Sequence, residues 1–258
     1  MTSSEEMVKS WMRLCKDPRT SSDLLENAAY WESINTPRKF EIRLAIARHR
    51  SAPSELLTKL SMVNFLPLQI AVAGHPNLSE ATAGKILKHH LRELRRALAG
   101  NPKIPIFAME KLAKDFVDVR VRLAKNAALT TKLMTQLARQ KEREVRISLA
   151  QNPAISTKIL EILSRDKEED VRATVAHHIK VPLVGLRLLA EDKSHKVREV
   201  VLERALEEHP KARSIFEALM KIRPSLLAQP AEDPLYELDQ EEKEPLPEPR
   251  DSAATSET

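Results

Sequence analysis

The chain has 258 residues, 3% of them aromatic, with four glycines, one cysteine (Cys15) and a net charge of +5. One thiol excludes an internal disulfide and any all-cysteine metal or iron–sulfur site, and the Leu, Ala, Lys, Arg and Glu content is that of a helical protein. No run of about 18 apolar residues is present to span a bilayer, and the acidic opening MTSSEEMVKS predicts no signal peptide, so the expectation is a cytoplasmic protein.

An arginine recurs after an aliphatic residue at nearly fixed spacing: Arg43, Arg95, Arg120, Arg146, Arg172 and Arg198, with Gln69 in the one gap, at steps of 26, 26, 25, 26, 26 and 26 residues. Such a period predicts a solenoid, in which each unit buries its apolar face against its neighbours. With the arginine as position 0, the first element to be expected is a degenerate capping unit over residues 1–38. DPRTSSDLLENAA (17–29) aligns there with NPAISTKILEILS (152–164), which puts Trp11 in the arginine column and Cys15 in an alanine column. The step from 11 to 43 is 32, so about six residues are inserted within Tyr30–Arg38.

From 39 to 223 the pattern predicts helix pairs. Position −1 is always Ile, Leu or Val, +3 is aliphatic, and +4 is Ala from Ala47 to Ala176, then Leu202. These spacings lie on one helical face. Position +6 reads His49, His75, Asn101, Asn126, Asn152 and His178, with prolines after several of them. Such residues tolerate left-handed backbone or bond local backbone, so the first helix is expected to end there. Position +10 is Ser, Thr or Pro, a starting signal for a second helix with apolar residues at +13, +14 and +17. From 224 to 258 periodicity stops. The span 231–258 carries ten acids and two bases, a charge of −8 that leaves +13 on residues 1–230, and it reads as a disordered acidic tail.

VRISLAQNPAISTKILEILSRD and its neighbours DVRVRLAKNAALTTKLMTQLARQ and LRRALAGNPKIPIFAMEKLAKD resemble the leucine-rich repeat variant family over roughly residues 9–206. The resemblance implies a right-handed all-α solenoid of about seven units, HEAT-like, each pairing an α-helix with a short, often 3₁₀, helix. The founding member's cysteine-cluster module has no counterpart in a chain with one cysteine, and the family implies little about activity.

The arginines Arg43, Arg95, Arg120, Arg146, Arg172 and Arg198 are read as a structural ladder. Each follows an aliphatic residue, and acids such as Asp115, Asp166, Asp170 and Asp192 lie just upstream to receive them, along with turn carbonyls. The histidines are read as turn caps, since no HxxxH or HExxH occurs and adjacent pairs such as His89–His90 do not face one way. No metal and no cofactor is expected. No G-x-S-x-G, P-loop or G-x-G-x-x-G is present. A repeat-type DNA glycosylase needs aromatics around a base, and the only tryptophans are Trp11 and Trp31 in the first unit. The chain is thus expected to be no enzyme but a scaffold for protein–protein interaction.

One exposed pattern stands out. Positions +16 and +19 of the second helix supply Lys59, Lys85, Lys88, Lys111, Lys114, Arg139 and Arg165, which stacking would align into a basic ridge. It reads either as a solvated face near helix C-termini or as a surface for nucleic acid or another polyanion. The remaining groove, at +1, +2 and +5, contains Arg122, Lys125 and His177. The partner's identity and the oligomeric state are not encoded in these patterns.

Overall fold

The computed structural model describes residues 2–30 and 39–206, together with Arg213, Ser214, Glu217 and Ala218. The insertion expected before Arg38, most of the helix expected over 212–222, and the acidic tail lie outside the described residues. Fifteen helices and no strand occur among those described. They form two compact units, residues 1–163 and 164–258.

In the first unit, helices alternate in pairs: α1 (Thr2–Leu14) with α2 (Ser22–Tyr30), α3 (Lys39–Arg48) with α4 (Ser54–Leu60), and α5 (Leu66–Ala73) with α6 (Glu80–Leu87). Next come α7 (Arg92–Ala99) with α8 (Ile106–Leu112), α9 (Val117–Ala124) with α10 (Thr131–Ala138), and α11 (Arg143–Ala150) with α12 (Thr157–Leu163). The second unit continues the pattern with α13 (Glu169–His177), α14 (Leu183–Ala190) and α15 (His195–Leu206). First helices pack on first helices, as α5 on α7 and α7 on α9, and second helices on second helices, as α6 on α8. This is the repeat arrangement that the 26-residue period requires. Both members of every described pair are α-helical, so the short 3₁₀ element implied by the resemblance is replaced by two full α-turns. Side-chain caps fit that outcome: Ser79 and Thr130 accept from the N–H groups of Thr82 and Leu133.

Burial follows the columns. Ile42, Leu68, Leu94, Val119, Val145, Val171 and Val197 at −1 are all buried, as are Leu60, Ile86, Leu112, Leu137, Leu163 and Leu189 at +17. Each large aliphatic side chain removed from water contributes on the order of 1.5–3 kcal/mol. The alanines at +4 sit at essentially zero exposure, where neighbouring first helices approach too closely for a larger group.

Helices this short leave many terminal carbonyls, and position +6 answers them across the seam. Asn101 donates from Nδ2 to the Ala73 and His75 carbonyls at 3.1 and 2.7 Å. Asn126 donates to those of Ala99 and Asn101, both at 2.8 Å, and Asn152 to those of Ala124 and Asn126 at 2.7 and 2.9 Å. His75 Nε2 lies 2.9 Å from the His49 carbonyl, and His49 Nε2 lies 2.8 Å from that of Asp17. The acceptor atom of each side chain receives the N–H two residues on, as Lys103 to Asn101 Oδ1 at 2.8 Å and Asn77 to His75 Nδ1 at 3.0 Å. The sequence reading saw only the local half of this. The first helices do end at this column, as the pattern predicts. The residues just before this column, Gly74, Gly100, Lys125 and Gln151, are right-handed, and His178 is extended with φ −75° and ψ 126°. Termination comes from the side chain's capture of carbonyls in the preceding repeat. Within the second unit the same column ends in Arg204, buried, donating to the Ala176 carbonyl.

Candidate interaction surface

The arginine column lies at the base of the seam. Arg95 Nε and Nη2 grip the Asp115 carboxylate at 2.6 and 3.1 Å, and Nη1 reaches the His89 carbonyl at 2.6 Å. Arg172 holds Asp192 at 2.7 and 2.9 Å and donates to the carbonyls of Asp166 and Lys167. Arg120 bonds both Glu142 oxygens and the Gln140 amide oxygen. Arg146 and Arg198 are buried, and each donates to the two carbonyls five and six residues upstream. Arg43 is half-buried with no side-chain partner among the described residues. The carboxylate comes from about 20 residues downstream, in the next repeat's turn, while the upstream turn supplies carbonyls. Asp192 therefore serves twice: its carboxylate to Arg172 and its carbonyl to Arg198.

Electrostatics follow the geometry. Burial pushes the Asp115 carboxyl up, but the Arg95 guanidinium and the Phe116 N–H outweigh it and hold the group below the ordinary carboxylate value. Hydrogen bonding to Arg120 holds Glu142 down, and bonding to Asp192 raises Arg172 further above its ordinary value. Burial lowers His75, keeping it neutral with the proton on the nitrogen that faces the His49 carbonyl. Burial raises the Cys15 thiol to about 11, so it is protonated at neutral pH.

With most of the described polar groups of the seam occupied by one another, what remains for a partner is the exposed positions. The cations Lys59, Lys85, Lys88, Lys111, Lys114 and Arg139 of the first unit are all exposed, and so is Arg165 of the second. Lys85 and Lys88 lie at the C-terminal end of α6, and Lys111 and Lys114 at that of α8, the helix packed on it. Lys85, Lys88, Lys111, Lys114 and Arg139 form no ion pair among the described residues.

A solved structure of 22% identity is among those similar to this chain. It is described as a leucine-rich repeat variant with a novel repetitive structural motif. The two share 22% identity, the match covers 78% of this chain and 86% of the other, and the TM-score is 0.49. No family model matches the chain. No curated protein matches it either.

The first helices present an exposed face of their own. Leu66 and Ile70 on α5 are exposed, one helical turn apart. Arg92 and Arg96 occupy the same two positions on α7, which packs on α5. At the start of α9, Phe116 is 59% exposed and Val117 is 37% exposed. The Arg92 guanidinium stacks over Phe116 at 5.5 Å and pairs with Asp118 at 3.4 Å, while Arg95 approaches the same ring at 5.9 Å. An exposed aromatic ring flanked by guanidinium groups and aliphatic side chains can take up an apolar side chain and an acidic one together. Toward the C-terminal end of this face, Arg122 and Lys125 are exposed on and just beyond α9, and His177 is exposed in the second unit. Among the described residues no group of three or more His, Cys, Asp or Glu side chains is placed to hold a metal ion, and no helix is long and apolar enough to cross a membrane.

Proposed function

We propose that the chain is a non-catalytic cytoplasmic scaffold that binds a protein partner along the exposed face of its first helices. The observation that carries this reading is the cluster of Leu66, Ile70, Arg92, Arg96, Phe116 and Val117 on α5, α7 and α9. Aromatic, aliphatic and arginine side chains are the types that dominate protein–protein interface energetics. The arginine and Asn/His ladders support the reading by fixing the spacing of successive helices, and so of the residues they display. The partner this face suits is an acidic segment with interspersed apolar residues. A photo-crosslinking amino acid at Ile70 or Phe116 should capture one polypeptide from the native cell extract. Capture through Ile70 should be lost when Phe116→Ala is combined with Arg96→Glu, and retained in Lys85→Glu with Lys111→Glu. Capture indifferent to the first pair of changes would overturn the reading.

A second reading has its own observation. Lys85, Lys88, Lys111, Lys114 and Arg139, exposed and without an ion pair among the described residues, would suit a nucleic acid or another polyanion, with affinity falling steeply as salt rises. Loss of heparin or DNA retention in Lys85→Glu with Lys111→Glu would favour it, and unchanged retention would exclude the ridge.

A further inference from the structure

We propose that the first unit carries a site for a phosphoryl group, supplied by a phosphorylated serine or threonine of the partner. The site is a pocket of about 170 Å³ between the turns that follow α7 and α9, lined by Gly100, Pro102, Arg122, Lys125, Ala127 and Ala128 among others. It deepens the protein-partner reading and rests on it for the source of the phosphate, while the chemistry of the pocket stands on its own.

Three features make the pocket an anion site. Arg122 and Lys125 are exposed, and neither forms an ion pair among the described residues. Arg122 uses space that a side chain at position 100 would fill: a Cβ built on Gly100 would lie 2.6 Å from Arg122 Nη2 and 2.8 Å from Cζ, so the guanidinium packs against the Gly100 backbone. The third feature is the Ala127 N–H. Three repeats have proline in its column, Pro76, Pro102 and Pro153, whereas Ala127 keeps its N–H, which makes no hydrogen bond among the described residues. Neighbouring Asn126 is fully engaged, donating to Ala99 and Asn101 and accepting from the Ala128 N–H at 2.9 Å.

A planar fork, an ammonium and a backbone donor around one small space match a tetrahedral dianion better than a carboxylate. A phosphomonoester brings about −1.5 to −2 charges and three acceptor oxygens, and its oxygens suit bidentate arginine. The lining has no aromatic side chain on which a base would stack, which disfavours a nucleotide. The exposed apolar residues that would enter a bilayer, Phe116 and Val117, lie at the other end of α9, about 12 Å from Lys125 at the helical rise. A side chain reaching in from a polypeptide along the same helices fits best.

The test uses the full chain and nuclear magnetic resonance at constant ionic strength. Inorganic phosphate titrated against chloride should shift the Ala127 amide and the Arg122 Nε–H saturably. Arg122→Ala and Lys125→Ala should each weaken phosphate binding roughly tenfold or more, the loss expected for a charge-assisted hydrogen bond. Gly100→Ala should weaken it too, by lifting the guanidinium, with the melting temperature unchanged because φ at Gly100 is −88°. The blocked tripeptide Gly-phosphoserine-Gly should bind at the same resonances, and Gly-Ser-Gly should not. Absence of a saturable shift at Ala127 and Arg122, or equal affinity in the variants, would overturn the anion site. Stronger binding of phosphoinositide vesicles or of single-stranded RNA at these resonances would overturn the assigned source. Crosslinking at Ile70 reports on the partner reading separately, since it does not require the pocket to be filled.

Discussion

At position +6 one side chain must donate across the seam and accept from its own turn, and Asn and neutral His each carry a donor and an acceptor on one short planar group. Removing that chemistry strands several buried groups. Asn126→Ala should therefore cost roughly 1–3 kcal/mol in urea unfolding, and an unchanged midpoint would show that the carbonyls of Ala99 and Asn101 find other donors. Histidine adds a pH dependence that asparagine lacks. Because the His75 pKa is lowered from 6.5, its contribution is complete above that value and is lost as pH falls from 6.5 through the folded value. His75→Asn should flatten the fall in melting temperature between pH 7 and pH 5, and an unaltered slope would place the acid sensitivity elsewhere. Among the arginines, Arg172→Ala leaves the buried Asp192 carboxylate without its partner and should cost about 3–5 kcal/mol, while Arg43→Ala should stay within about 0.5 kcal/mol. Comparing the two unfolding curves checks that difference. The arginine column was visible as a column, but its carboxylate partners were not: Asp115 is five residues before Arg120 and twenty after Arg95, and the shorter separation misled. The +6 column carries a stronger signal than a helix stop, because its first six positions are all His or Asn, each with a donor and an acceptor.

At the scale of the helix, the pattern of apolar residues was legible because each pair repeats one burial problem. Val, Leu or Ile at −1, Ala at +4 and mostly Leu at +17 leave no other face to bury. Helices of seven to ten residues are too short to hold themselves, so packing and caps decide them. Leu123→Ala in α9 should cost about 2–5 kcal/mol and Thr130→Ala, which removes the α10 cap, about 1 kcal/mol, both read by urea unfolding. A loss for Thr130→Ala as large as that for Leu123→Ala would mean that α10 is set by its start rather than by its buried face. The exposed cluster on α5, α7 and α9 was not legible. An exposed leucine at one repeat is ordinary, and only the packing of successive first helices brings it beside Arg92, Arg96 and Phe116.

Across the molecule, a chain of repeats couples each unit to its neighbours through such seams, and the proposed interaction surface uses positions that the seams leave exposed. Arg95 and Asn126 belong to the seam, whereas Ile70, Arg96, Phe116 and Arg122 belong to the surface. Hydrogen–deuterium exchange of the full chain with and without its captured partner separates these roles in one measurement. The account predicts new protection over residues 66–70, 92–96 and 116–127. Protection confined to Lys85–Lys88 and Lys111–Lys114, or to neither set, would contradict it.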